Sequence, residues 1–182
     1  MILSDRQILE EIEKGTIVIK PFRKECLGSN SYDVHLGNVL KVYRNRVLDA
    51  RLPNPTETII IPPEGYVLMP GRLYLGVTEE YTETHKHVAF LEGKSSLGRL
   101  GIFIHATAGK GDVGFCNHWT LEIFCVQPVR IYPGMPIGQL IFFEVKGEVL
   151  TPYSKKPSAK YVDKSREPQP SRMWLNFQKA DE

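Results

Sequence analysis

The 182-residue sequence predicts a mainly β fold, a distorted jelly roll or barrel, with one short N-terminal helix and an irregular C-terminal tail. Three observations carry this. Short β-branched or alternating runs follow one another from residue 16 to residue 150, punctuated by Pro and Gly. No amphipathic run between them is long enough for a crossover helix, which disfavours a parallel α/β sheet. From Thr151 the composition changes to a basic, proline-rich segment.

The helix comes first. Ser4 is a suitable N-cap, Gln7 stands at the capping-box distance, Ile8, Leu9 and Ile12 share one side, and Gly15 supplies a stop. Thr16 to Lys20 opens the strands. Tyr32 to Leu36 alternates and meets a turn signal at Gly37-Asn38, and Val39 to Tyr43 follows. Further runs are Ile59 to Ile61, Tyr66 to Met69, Leu73 to Val77, Val88 to Leu91 and Ile102 to His105. Trp119 to Phe124 alternates strictly, so Thr120, Glu122 and Phe124 share one face and Trp119, Leu121 and Ile123 the other. Val129 to Tyr132, Ile137 to Val145 and Gly147 to Leu150 complete the set. In the tail, Lys155, Lys156, Lys160, Lys164, Arg166 and Arg172 outnumber Asp163 and Glu167, and four prolines bar a regular element. The length fits one domain, residues 1–182, with 151–182 a basic tail or lid.

Composition excludes several function classes. Hydrophobic residues make up 42% and charged residues 24%, ordinary for a globular chain and unlike a disordered one. The formal charge, 23 − 21 = +2, is too small for a protein that coats nucleic acid. No run approaches the ~20 apolar residues of a membrane span, and a charge at Asp5 breaks the opening apolar run, so no secretory leader is expected. Three cysteines with no C-x-x-C pair argue against a disulfide framework and for a reducing, cytoplasmic setting. His85, His87, His105 and His118 do not join a cysteine at the spacings of zinc sites.

Three segments carry chemistry. Gly93-Lys94-Ser95-Ser96-Leu97-Gly98-Arg99-Leu100-Gly101 combines small residues with two hydroxyls, an ammonium and a guanidinium, a set that suits phosphate oxygens but is not a Walker A loop. Ala106 to Phe115 is a glycine-rich connection whose Asp112 suits a sugar hydroxyl, although Asp beside Gly commonly serves turn geometry. Glu122 is a carboxylate within an apolar strand. It faces solvent or lines a pocket, where burial tunes it for acid–base work.

These segments, in this order, resemble the dCTP deaminase family of the trimeric dUTPase-like superfamily. The resemblance runs from Met1-Ile2-Leu3-Ser4-Asp5 through Ser31 to Gly37, Gly93 to Gly101, His105 to Phe115, Thr120-Leu121-Glu122 and Pro133 to Leu140, ending at Pro152-Tyr153 and Ala159-Lys160-Tyr161. The Ser-Ser-x-x-Arg-Leu-Gly run followed by Thr-Leu-Glu marks the deaminating branch. The resemblance implies a homotrimer with active sites shared between neighbours and hydrolysis of dCTP to dUTP and ammonia. It also implies magnesium carried by the triphosphate, and no zinc. The zinc deaminases carry His-x-Glu and Pro-Cys-x-x-Cys, which this chain lacks.

The resemblance also implies roles. Glu122 is the general base and then acid for water attacking cytosine C4. Ser95 and Arg99 position that water and stabilise charge, and with Lys94 and Ser96 they meet nucleotide atoms. Asp112 holds the deoxyribose 3′-hydroxyl, Phe115 packs beside the sugar (core packing is its alternative), and backbone groups near Thr120, Leu121 and Glu122 read the pyrimidine edge. Gln139, Tyr153 and Lys160 complete the triphosphate side. Two positions depart from the family pattern: Gly111-Asp112-Val113-Gly114 replaces Ile-Asp-Pro-Gly, and Lys164 stands where a glutamine is usual, as a point charge for phosphate. The alternatives are a bifunctional enzyme yielding dUMP and pyrophosphate, with Asp112 assisting attack on the α-phosphate, a dCMP-preferring deaminase, and a non-enzymatic nucleotide-binding module.

Overall fold

The computed structural model describes residues 1–178. Helix α1 (Asp5–Glu13) starts at the expected capping box: Ser4 Oγ accepts the Gln7 N–H at 3.4 Å, and Gln7 Oε1 accepts the Ser4 N–H at 3.2 Å. Twelve strands follow, interrupted by a short helix. They are β1 (Ile17–Lys20), β2 (Tyr32–His35), β3 (Val39–Tyr43), β4 (Thr56–Ile60), β5 (Tyr66–Leu68), β6 (Tyr74–Thr84) and β7 (His87–Gly93). After helix α2 (Ser95–Arg99) come β8 (Ile102–Phe103), β9 (Lys110–Gly111), β10 (Cys116–Cys125), β11 (Val129–Ile131) and β12 (Pro136–Glu144).

Every described pairing between these strands is antiparallel. One sheet runs β4-β3-β6-β10-β8, with β1 paired along the far end of β6. A second runs β2-β12-β7-β9, and β11 with β5 makes a ribbon. The inward side chains of the two large sheets form the core, with Tyr32, Tyr74, Leu121, Ile123, Leu140 and Phe142 at most 1% exposed. The sheets stay open, so the architecture is a distorted jelly roll and not a closed barrel. No described helix is long and apolar enough to cross a membrane.

Three local expectations are corrected, and one turn is specified further. Gly37-Asn38 carries the chain from one sheet to the other, since β2 and β3 belong to different sheets, and Gly37 N–H donates to Val77 O at 2.8 Å. Gly147 to Leu150 forms no strand; the segment has no ladder partner and is exposed. The Ser95–Arg99 stretch is a single helical turn and not a loop. Strand β6 runs on to Thr84 through the polar Glu79-Glu80 pair. That extension hides in the sequence because Glu80, at 0% exposure, looks like a surface residue. Its carboxylate accepts the His35 N–H at 2.8 Å, lies 2.7 Å from His35 Nδ1 and sits 3.6 Å from the Arg23 guanidinium. Those partners offset the desolvation that an unpaired buried charge would suffer.

The tail lies folded along β10. Asn117, 1% exposed, donates to the carbonyls of Asp163 (2.9 Å) and Tyr161 (3.3 Å) and accepts the Ser165 N–H at 3.1 Å. Gln169 N–H reaches Thr120 Oγ1 at 3.0 Å, and Ser171 N–H reaches the Tyr43 hydroxyl at 2.9 Å. Gly114 makes the crossing possible: its φ is +88°, and a Cβ there would stand 2.7 Å from Pro152 Cβ.

Candidate active site

Strand β10 supports the densest site. Its burial alternates as expected, sending Leu121 and Ile123 into the core and leaving Thr120 and Glu122 on the outer face. That face floors a cleft of about 700 Å³ walled by Tyr43, Leu75, Asp112, Phe115, Tyr153 and Tyr161. The Ala106–Gly109 loop crosses one end. Glu122 N–H donates to Ile104 O at 2.9 Å, and Glu122 Oε2 accepts the Ala106 N–H at 2.8 Å. One carboxylate oxygen is therefore held by backbone, which orients the group within the cleft.

Asp112 follows β9, which β7 anchors through the Ala89–Gly111 pair. Lys110 Nζ lies 2.8 Å from Asp112 Oδ1, and Lys156 Nζ lies 3.4 Å from Oδ2. The Lys110 hydrogen bond, aided by Lys156, holds the Asp112 carboxyl below its usual range despite partial burial. Gly111 explains the departure from the family's loop pattern: a Cβ there would stand 2.6 Å from the Trp119 ring, so this loop leaves room for an indole. Phe115 packs 5.0 Å from that ring and 5.9 Å from Tyr153, so it lines the cleft and packs locally at once.

A second group lies elsewhere. Lys94, Ser95, Ser96 and Arg99 sit on and before α2, at the end of the β2-β12-β7 sheet, and none of them lines the cleft. Lys94 Nζ pairs with Asp33, and Gln139 Nε2 donates to Gly93 O at 3.3 Å. Ser95, Ser96 and Arg99 are exposed. The structure thus brings together Glu122, Thr120, Asp112, Phe115 and Tyr153, and separately Lys94, Ser95, Ser96, Arg99 and Gln139.

Three further residues singled out in the sequence do not line the cleft. The Leu121 side chain is in the core, and the neighbouring Glu122 N–H donates to Ile104 O. Lys160 is half-buried outside the cleft lining, with its carbonyl accepting from Arg172. Lys164 stacks on the Tyr81 ring at 5.1 Å and approaches Glu83 at 3.9 Å, away from the cleft. Sequence reasoning missed Asn117, Gln169 and Tyr43, which shape the cleft and pin the tail over it. Only Asn117 left a signal, a lone amide at an inward position of an alternating strand.

The described fold is shared with a solved nucleotide deaminase. A dCTP deaminase structure from Agrobacterium tumefaciens aligns over 78% of this chain and 47% of that one, about half its length, with a TM-score of 0.61 and 22% identity. The dCTP deaminase-like family profile matches residues 2–145, and the chain belongs to that family of enzymes. Relatives named "dCTP deaminase, dUMP-forming" extend along its length. The Clostridium botulinum (strain Eklund 17B / Type B) protein is 51% identical over 98% of this chain and 100% of its own. The Clostridium acetobutylicum protein is 52% identical over 97% and 99%, and the Cytophaga hutchinsonii protein 48% identical over 98% and 100%.

Proposed function

We propose that this chain converts dCTP to dUMP, ammonia and pyrophosphate. The observation that carries the deamination is Glu122, oriented by the Ala106 N–H on the floor of the cleft. The relatives' dUMP-forming name favours the bifunctional alternative over release of dUTP. Glu122 Oε1 takes a proton as water oxygen bonds to cytosine C4. The protons then pass to N3 and to the exocyclic amine, the C4–N bond breaks, and ammonia leaves. Phe115 and Tyr153 line the same cavity and pack against the sugar, and Asp112 meets the 3′-hydroxyl side and assists water at the α-phosphorus.

Ser95 and Arg99 reach the reacting carbon only from a neighbouring copy, so the working unit is a homotrimer whose sites combine one chain's cleft with the next chain's α2. Their placement outside their own cleft supports this. The donor set suits magnesium carried by the triphosphate: Asp112 and Glu122 are the carboxylates of the cleft lining, too few for an all-protein cage. When bound, the ion would neutralise phosphate charge, with Asp112 the nearest protein oxygen donor.

Product analysis tests this reading. Purified protein with dCTP and magnesium is expected to give dUMP and pyrophosphate in equal amounts, resolved by anion exchange. Accumulating dUTP without pyrophosphate would reduce the assignment to deamination alone. The Glu122→Gln variant should lose dCTP turnover and still hydrolyse dUTP, which separates the two steps.

A further inference from the structure

Strands β6 and β10 end in a polar ladder that the proposed reaction does not use. Glu83 lies near the end of β6 and His85 in the bend just after it, on the same side of the chain. Cys116 stands directly opposite Glu83 in the register. The donor atoms of Glu83, His85 and Cys116 all lie within 4.8 Å of one another. His85 Nε2 is 2.8 Å from Glu83 Oε2, and the Tyr81 hydroxyl donates to Glu83 Oε1 at 2.7 Å.

We propose that this cluster binds one divalent transition cation of the zinc type through Cys116 Sγ, His85 Nε2 and a Glu83 oxygen. The mixed sulfur, nitrogen and oxygen set is the one zinc selects, whereas magnesium avoids sulfur. Bonds of about 2.0–2.3 Å in tetrahedral geometry place ligand atoms roughly 3.3–3.8 Å apart. The cluster needs to close by about 1.5 Å at most on that basis.

The backbone is built to hold it. Glu83 is laddered on both sides, to Val18 of β1 and Cys116 of β10, and the His85 N–H donates to Thr16 O at 2.8 Å. Tyr81 fixes Glu83 Oε1, the role of an outer partner to a metal ligand, and leaves Oε2 facing His85. Binding releases the Cys116 thiol proton to water, places the remaining His85 proton on Nδ1, and leaves a thiolate and a carboxylate to neutralise the dication. Lys164, with a 69% exposed side chain, is free to withdraw from Glu83. The fourth position stays open to water. The ion would clip β6 to the Asp112–Cys116 connection that carries Phe115 into the cleft, a stabilising role separate from the substrate's magnesium.

Cobalt(II) titration of the full-length chain, dialysed first against chelator, tests the site. One cobalt per chain is expected, with a thiolate-to-cobalt charge-transfer band that stoichiometric zinc bleaches and excess magnesium does not. Cys116→Ser should abolish the band. His85→Ala, at an exposed position, should keep the fold and weaken binding by at least about tenfold, with a smaller loss for Tyr81→Phe. A wild-type chain with no saturable binding overturns the proposal. So does a band that survives Cys116→Ser, or an affinity unchanged by His85→Ala.

Discussion

The two groups of candidate residues differ in how the fold holds them. Glu122, Thr120 and Asp112 sit on a laddered strand or at a strand end, half-buried, and each already has a hydrogen-bond or charge partner in the chain. Ser95, Ser96 and Arg99 sit on a five-residue helix with no side-chain cap, exposed, with Leu97 its single buried side chain. A group that must act as an acid–base catalyst needs a fixed orientation, and the first region supplies it. Among the described residues the Arg99 guanidinium has no ion-pair partner, so its charge is available to a ligand. The difference teaches that the candidate residues are divided between two surfaces, and the proposed trimer is what would join them.

Glu122→Gln should cause the largest effect, a loss of dCTP turnover on the order of 10³-fold, because the amide keeps the shape and cannot take the proton. Nucleotide binding should persist, and isothermal titration with dCTP reads it directly; a variant that turns over normally removes Glu122 from the mechanism. Arg99→Ala should lose on the order of 10²-fold through missing charge stabilisation. The division itself breaks or holds in a mixture. Co-expressed Glu122→Gln and Arg99→Ala chains, each inactive alone, should regain roughly a quarter of wild-type activity, since about one interface in four then joins an intact cleft to an intact α2. No recovery would mean that each site is built within one chain.

Much of this was legible in the sequence, for reasons that differ by region. The capping box at Ser4 and Gln7 and the alternation at Trp119 to Phe124 are local patterns, and the structure repeats both. The Ser-Ser-x-x-Arg run and Glu122 were legible as chemistry. Their separation was not, because composition does not say which sheet end a helical turn lands on. Register was likewise invisible: Glu83 opposite Cys116 follows from β6 pairing with β10, and no spacing along the chain encodes it. Glu80 shows the same limit. Its neighbours in sequence are polar, and only the fold brings His35 and Arg23 to its carboxylate.

The tail sharpens the comparison, because it reinforces the cleft side only. Asn117→Ala removes four hydrogen bonds, to Tyr161, Asp163, Ser165 and the His118 N–H. A cost of about 2–3 kcal/mol is expected, since some of the partners stay buried and unpaired. Amide exchange should quicken in residues 159–172 while α2 is unchanged, and KM for nucleotide should rise more than kcat falls. Equal exchange rates in the tail before and after substitution would show that Asn117 does not pin it.

The smallest expected effect concerns Asp112, whose carboxyl Lys110 holds below its ordinary value of 3.8. A carboxylate with a lowered pKa in the folded state adds stability above its unfolded pKa and loses it as pH falls through the folded one. Lys110 is 55% exposed, so solvent discounts the pair to about 0.5 kcal/mol. For a chain of this size that corresponds to a Tm difference of roughly 1–2 °C between wild type and Lys110→Met. The gap should be full at pH 6 and close as the buffer is taken below about pH 4. A gap that stays constant into acid would mean that Lys110 contributes through its alkyl stem and not through the charge facing Asp112.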